Sequence, residues 1–202
     1  KSLAGYYFSI AFDVQKHGSW YVGKWRREWM PKESWNKNIN YADVNYCPLR
    51  YADVVLMAAE AYNETGTDRQ KAWDLLNSVR TRAEATSITE ANYDEMMSAR
   101  KKTHNLTFID DSTPEGKFRT ALYWERGFEL AFEGQRKYDL IRWGVLGKAL
   151  KLFGEISSVN QKENKPYPAY RNFTEGKHEL FPIPLKEIQS NPKLNGMNNN
   201  GY

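Results

Sequence analysis

The 202 residues carry a formal net charge of +4, from 29 Lys and Arg against 25 Asp and Glu, and 41% of them are hydrophobic. This length and composition predict one domain with its own core. The cations are scattered among acids, which argues against nucleic acid as a partner, and no apolar run approaches the roughly 18 residues of a membrane span.

The first 47 residues are aromatic, charged and aperiodic. Much of the chain's total of 7 Trp and 13 Tyr falls here, between breakers at Gly18, Gly23 and Pro31 that predict loops and short extended pieces. Trp and Tyr combine an apolar ring with a polar edge, so this zone suits stacking on planar or sugar-ring faces, with packing of the loops as the alternative. The candidate ligand-binding residues are Trp20, Tyr21, Trp25, Trp29 and Trp35.

Helical periodicity begins near residue 49. Residues 49–64 are apolar nearly all round, which predicts a helix buried on several sides, and Gly66 suits the left-handed position beyond its end. Thr67 and Gln70 fit a capping box for a second helix, whose apolar positions repeat at one-sided helical spacing. The short turn predicts an antiparallel pair similar to one tetratricopeptide-type unit.

Further helices are predicted over 90–101, 137–143 and 145–153. The connector over 104–113 contains apolar residues that suggest a short strand pair, namely Leu106, Phe108 and Ile109. Pro114 suits the first turn of a long helix that stops near Gly134.

The chain is thus predicted to be a single all-α domain in three parts. Residues 1–47 form the aromatic loop segment, 48–154 the helical core, and 155–202 an extended docking tail rich in Pro and Asn. Within the tail, 180–184 is predicted to be extended, and Pro184 to begin a helix of one turn.

Cys47 is the only cysteine. A lone thiol excludes an internal disulfide and a multi-cysteine metal site, and it is predicted to be a small buried hydrophobe. Glu175 and His178 have a Glu-x-x-His spacing that di-iron helix bundles use, but Gly176 between them favours a loop. No metal or other cofactor is predicted, with calcium on scattered carboxylates left open.

Three glutamates of the long helix are the most informative charges. At about 100° of rotation per residue, Glu125, Glu129 and Glu133 fall on a face that is otherwise apolar. Like charges four residues apart repel, and an unpaired buried charge is costly, so nearby cations are required. The apolar neighbours on this face are Phe118, Leu122, Phe128 and Phe132, and the candidate cations are Arg126, Arg136 and Arg142.

Two interpretations of these carboxylates compete. A glycosidase needs two carboxyl groups in distinct environments, and Glu125 and Glu129 would supply them. Catalytic groups usually face a cleft from loops or element ends, whereas these lie within one helix among Phe and Leu, so a structural ion-pair network is favoured. The sequence contains no nucleophile elbow, phosphate loop or dinucleotide glycine fingerprint.

Three ordered blocks of sequence carry a resemblance to a known family. They are LRYADVVLMAAEAYNETG (49–66), ALYWERGFELAFEGQRKYDLIRWG (121–144), and LFPIPLKEIQSNP (180–192) with the terminal Asn200, Gly201 and Tyr202. They resemble the first, second and C-terminal conserved blocks of the SusD/RagB family. The resemblance implies an all-α fold of tetratricopeptide-like helix pairs with long irregular loops, of which this chain is the C-terminal part.

The resemblance also implies a function without catalysis. Members bind an oligosaccharide or polysaccharide at the outer cell surface for uptake through a SusC-like TonB-dependent outer-membrane transporter. The implied location is the outer membrane, facing the cell surface, with attachment only through an N-terminal lipid absent from this chain, since Cys47 is not the lipidation site. The alternatives are a tetratricopeptide-like protein-interaction module and a glycoside hydrolase using Glu125 and Glu129.

Within the resemblance, the charged residues are scaffold and the aromatic zone of residues 20–35 is where sugar contacts map. The implied structural ion-pair network comprises Arg50, Glu125, Arg126, Glu129, Glu133, Arg136, Asp139 and Arg142. Because full members are much longer, the helix over 49–64 is expected to expose part of its apolar surface.

Overall fold

Every regular element in the described part of the chain is helical. The computed structural model describes Lys24 and residues 45–103, 105–160 and 168–202. Within these residues the α-helices are α1 Tyr51–Thr65, α2 Arg69–Arg82, α3 Tyr93–Thr103, α4 Pro114–Glu129, α5 Arg136–Arg142, α6 Leu146–Asn160, α7 Pro168–Arg171 and α8 Leu185–Ser190, and Pro192–Leu194 forms a 3₁₀ turn. The all-α prediction is confirmed.

α1 and α2 form the predicted helix pair. Gly66 is left-handed, with φ of 65°, and ends α1 as expected. The residue that caps α2 is Asp68, whose carboxylate accepts a 2.8 Å hydrogen bond from the backbone N–H of Lys71. The predicted capping box of Thr67 with Gln70 is therefore wrong, because a carboxylate one residue later satisfies the free N–H groups of the first turn.

The start of α4 is determined locally. Pro114 is its first residue, as predicted, and the Thr113 hydroxyl accepts a 3.1 Å hydrogen bond from the backbone N–H of Gly116. A Cβ on Gly116 would lie 1.6 Å from the carbonyl oxygen of Asp110. The absence of a side chain therefore lets the preceding connector cross directly over the first turn of the helix.

α4 ends at Glu129, earlier than the predicted stop near Gly134. Phe132 adopts a left-handed conformation with φ of 64°, so the chain turns away and Glu133 is not on the helix. Phe128 and Phe132, predicted to lie in the apolar face, are 54% and 68% exposed. Phe132 leaves the predicted face because the helix has ended, whereas Phe128 lies on α4 itself, at a position that the core does not cover.

The connector and the tail also differ from expectation. Residues 105–113 form turns and contain no strand, so the strand pair predicted around Leu106, Phe108 and Ile109 is wrong. α6 continues to Asn160, past its predicted end at residue 153, and the tail contains the unpredicted α7. α8 begins directly after Pro184, where a short helix was predicted. Leu106 is nonetheless buried, since a turn can present one apolar side chain to the core as well as a strand can.

The described residues form two hydrophobic core clusters. The first lies among α1 to α4, with Leu56, Ala59, Trp73, Leu76, Tyr93 and Phe118 among its buried members. The second includes Leu106, Tyr123, Leu140, Val145, Leu146 and Ala149. Trp124 and Trp143 pack against both clusters, so the two tryptophans connect the helix pair to the C-terminal helices.

α1 has one apolar face in the core and another on the surface. Leu56 and Ala59 are fully buried, whereas Tyr51, Val54 and Met57 are exposed. The expected exposed apolar surface is thus present on this helix.

Candidate functional site

Glu125 is buried against Arg80 from α2. The two side chains are joined by a 2.5 Å contact between Nη1 and Oε2, and both residues are buried. Arg80 Nε donates a further 2.8 Å hydrogen bond to the carbonyl of Thr86. The guanidinium is thereby fixed in place, and the carboxylate faces protein instead of a cleft.

Glu129 and Glu133 share Arg50, the residue that precedes α1. Arg50 Nη1 lies 2.5 Å from Glu129 Oε1, and its Nε lies 2.7 Å from Glu133 Oε2. Arg82 also contacts Glu129, at 2.5 Å, and Lys24 pairs with Glu133. Two carboxylates are therefore surrounded by three cations, which removes the repulsion expected between them.

The ammonium of Lys24 also binds the end of α4 directly. Its Nζ donates to the carbonyl of Glu129 at 2.7 Å and to that of Ala131 at 3.1 Å. Carbonyls at the end of a helix lack partners within the helix and carry partial negative charge. Lys24 is thus joined to the end of α4 and to the turn that follows it by three contacts.

The titration of Glu133 reflects its partners. Burial works to raise the pKa of this carboxyl, but the hydrogen bonds and charges of Arg50 and Lys24 outweigh it, so the pKa lies below its ordinary value. Glu133 is therefore a carboxylate at neutral pH and acts as a counter-ion.

The three arginines predicted as partners of these glutamates bind other groups. Arg126 contacts Asp53 of α1 at 2.7 Å and Asp139 of α5 at 2.8 Å, with all three residues buried. Arg142 also reaches Asp139, at 3.0 Å, and binds Glu60. The predicted pairings are wrong, because the cations that reach the glutamates come from α2 and from the segment before α1.

The side chain of Arg136 is bound by a backbone carbonyl and by aromatic rings. Its Nη1 donates a 2.8 Å hydrogen bond to the carbonyl of Tyr123, and its guanidinium carbon lies 3.9 Å from the centre of the Tyr123 ring. Burial works to lower the pKa of Arg136. Among the described residues no carboxylate forms an ion pair with it, and a cation–π contact takes that place.

Sequence reasoning therefore identified most of the charged residues but missed several partners, namely Lys24, Asp53, Glu60, Arg80 and Arg82. Arg80 follows Val79 and falls on the buried face of α2. A charged residue on such a face indicates a buried ion pair. Asp53 gives the same signal within the apolar helix α1.

The predicted ligand-binding aromatics, Trp20, Tyr21, Trp25, Trp29 and Trp35, lie outside the described residues. Cys47 is described and is exposed, with its Sγ 3.1 Å from the carbonyl of Leu49. The prediction of a buried cysteine is wrong, since the segment before α1 lies on the surface.

The described residues contain neither a cluster of metal ligands nor a membrane-spanning helix. No three His, Cys, Asp or Glu side chains there are grouped closely enough to hold a metal ion. Nor does any described helix have the length and apolar content needed to cross a membrane.

A family model matches residues 13–202, and its description is the SusD family. The chain belongs to the SusD family. Its relatives include a SusD-like protein of Formosa agariphila that is 36% identical over 176 residues, covering 83% of this chain and 28% of the relative. A second SusD-like protein of that organism is 34% identical, covering 80% of this chain and 26% of its own length.

A solved structure agrees with these relatives. The crystal structure of a SusD homolog from Bacteroides thetaiotaomicron is 32% identical, with a TM-score of 0.60, and the match covers 80% of this chain and 28% of that one. The SusD-family chain therefore has the all-α, tetratricopeptide-like fold. It spans about a quarter of the length of the relatives that it matches.

Proposed function

We propose that this chain is the C-terminal, helical part of a non-catalytic glycan-binding lipoprotein of the outer membrane. The observation that carries the proposal is the SusD-family match over residues 13–202. The whole protein would be anchored by an N-terminal lipid, face the cell surface, and pass an oligosaccharide or polysaccharide to a SusC-like TonB-dependent transporter.

The ion pairs of α4 support a role without catalysis. Glu125 and Glu129 have side chains that are 7% and 8% exposed, and each is bound to an arginine at 2.5 Å. A glycosidase places two carboxyl groups on either side of a scissile bond, which requires access for a sugar ring. A scaffold of buried ion pairs fits these two residues better.

We assign the glycan contacts to the aromatic zone of residues 20–35. Tyr and Trp rings offer an apolar face for sugar C–H groups and polar edges for hydroxyls. Lys24 lies in the middle of this zone and is bound to the end of α4. These contacts put Lys24 itself beside the helical core.

Affinity electrophoresis in gels containing amylopectin, xylan, laminarin or galactomannan tests the proposal. We expect the wild-type chain to be retarded by at least one of them, and Trp25→Ala or Trp29→Ala to migrate faster with an unchanged thermal melt. Tyr138→Ala, which removes an exposed aromatic side chain from α5, is the matched control. Absence of retardation in every gel would favour the protein-interaction module.

The non-catalytic part of the proposal is tested by reducing-end release from the same polysaccharides. We expect no release by wild type, and a lower melting temperature for Glu129→Gln because Arg50 and Arg82 lose a charged partner. A hydrolytic activity that Glu129→Gln abolishes without unfolding would establish the enzyme instead.

A further inference from the structure

A cleft lies between α1, the connector before α4, and the junction of α5 with α6. Its volume is about 640 Å³, within the range of roughly 300–1,000 Å³ typical of small-ligand sites. The side chains that define this Glu60–Glu64 cleft are Glu60, Glu64, Arg119, Tyr123, Arg142 and Trp143.

Two ion pairs line the cleft. Arg142 donates to both oxygens of Glu60, at 2.6 and 2.7 Å, and Arg119 donates to both oxygens of Glu64, at 2.7 and 2.5 Å. Each pair is bidentate, which gives it a defined geometry. Glu60 and Glu64 are four residues apart on α1, so the pairs stand about 6 Å apart along the helix.

The ion pairs hold their charge and their position. The hydrogen bond from Arg119, opposed by partial burial, lowers the pKa of Glu64, so this carboxylate is ionised at neutral pH. Glu60 also accepts a 2.7 Å hydrogen bond from Trp143 Nε1. That bond fixes the orientation of the indole ring beside the carboxylate.

Aromatic rings form the rest of the lining. The rings of Tyr123 and Trp143 lie 5.9 Å apart between centres, and Phe108, also in the lining, lies 5.8 Å from Tyr123. The guanidinium of Arg142 is 4.7 Å from the Trp143 ring. The cleft therefore combines apolar ring surface with fixed donors and acceptors.

The charge balance indicates the class of ligand. Each arginine at the cleft is neutralised by its own glutamate, so an anionic ligand would gain no free counter-charge from these pairs, and the Asp110 carboxylate in the lining would repel it. A neutral polyol can instead place C–H groups on the aromatic rings and exchange hydroxyl hydrogen bonds with the remaining N–H groups and oxygen lone pairs.

We propose that the Glu60–Glu64 cleft is a second glycan subsite, which takes a short stretch of a neutral oligosaccharide. This inference rests on the proposed function and adds a contact region on the helical core, separate in sequence from the aromatic zone of residues 20–35.

The test uses Arg119→Ala and Glu64→Gln in the 202-residue chain, since the pair is largely exposed and its loss should change the thermal melt little. Dissociation constants are measured by affinity electrophoresis on the neutral polysaccharides above and on alginate as an anionic one. We expect each variant to bind the retained neutral polysaccharide about tenfold more weakly, because a hydrogen-bonding charged group is lost. Arg69→Ala, which removes an arginine paired with Glu115 outside the cleft, should bind like wild type.

The outcomes separate the two proposals. Wild-type retention that both cleft variants leave unchanged would overturn the subsite while the proposed function stands. Absence of wild-type retention on every polysaccharide would overturn both. Retention on alginate alone, weakened by Arg119→Ala, would overturn the assignment of a neutral ligand.

Discussion

At the scale of single residues, Arg126 is a buried cation of the described core that depends on two buried carboxylates. It is 4% exposed and lies between Asp53 and Asp139, which are 4% and 3% exposed. Its guanidinium donates a hydrogen bond to each of these two carboxylates, so that Arg126 of α4 connects α1 to α5. A buried ion pair adds little net stability over an apolar replacement, but removing one partner leaves the others uncompensated.

We therefore expect Arg126→Ala to lower the free energy of unfolding by about 3–5 kcal/mol, because buried Asp53 loses its cation and buried Asp139 keeps only Arg142. Urea denaturation followed by circular dichroism measures the change. Arg82→Ala, whose side chain is 60% exposed, is the control and should cost no more than about 1 kcal/mol. A loss for Arg126→Ala as small as that of the control would contradict the bridging role.

Glu133 makes stability depend on pH. Its pKa in the folded state lies below the ordinary value of 4.5, because Arg50 and Lys24 together outweigh the effect of burial. A carboxyl of this kind contributes stability above its unfolded pKa and loses it as the pH falls through the folded pKa.

We expect the urea midpoint of wild type to fall on acidification below about pH 4.5, and Glu133→Gln to show a shallower fall over that window. Above it, the variant should be less stable than wild type. Parallel pH profiles for the two proteins would show that Glu133 does not take part in this linkage.

At the scale of elements, α4 shows what local sequence controls. Its start follows from Thr113 and Pro114, and both the cap and the first-turn proline are readable without a structure. Its end is different, since Phe132 takes a left-handed conformation that residues other than glycine rarely adopt. The contacts of Glu133 with Arg50 and Lys24 accompany this turn, and both partners are far away in sequence.

Removal of the α4 cap should have a moderate effect. We expect Thr113→Ala to lower the free energy of unfolding by about 1 kcal/mol, because the N–H of Gly116 loses its acceptor. In a chain of this size that corresponds to roughly 2–4 °C in melting temperature. Thr113→Ser keeps the hydroxyl and should melt like wild type, and equal losses in both variants would point to methyl packing instead.

At the scale of the whole molecule, Trp124 and Trp143 connect the two hydrophobic clusters. Trp124 makes an edge contact with Tyr123, at 5.4 Å between ring centres, and stacks on Phe128 at 5.9 Å. Side chains shared by two clusters make the unfolding of one depend on the other.

We expect Trp124→Ala to reduce both stability and cooperativity. The free energy of unfolding should fall by a substantial part of the roughly 3–5 kcal/mol that replacing a buried aromatic residue by Ala typically costs. The two clusters should then unfold in separable transitions. Hydrogen exchange resolved by segment measures this, with Trp124→Phe as a control that keeps a ring. A single sharp transition in Trp124→Ala would show that other contacts couple the clusters.

Local features of the sequence determined the all-α class, most helix positions, the glycine at the end of α1 and the proline at the start of α4, because periodicity and capping act within a few residues. The three conserved blocks likewise determined the family. The need for cations beside the α4 glutamates also followed from sequence, since burial and charge repulsion are general.

Only the tertiary structure decided which cation meets which carboxylate. Arg80 and Glu125 are 45 residues apart, Arg50 and Glu129 are 79 apart, and Asp53 and Arg126 are 73 apart. Such pairings depend on how α1, α2, α4 and α5 pack, and any nearby arginine is an equally good electrostatic partner until the packing selects one. The Glu60–Glu64 cleft has the same origin, because its walls come from segments that meet only in the folded chain.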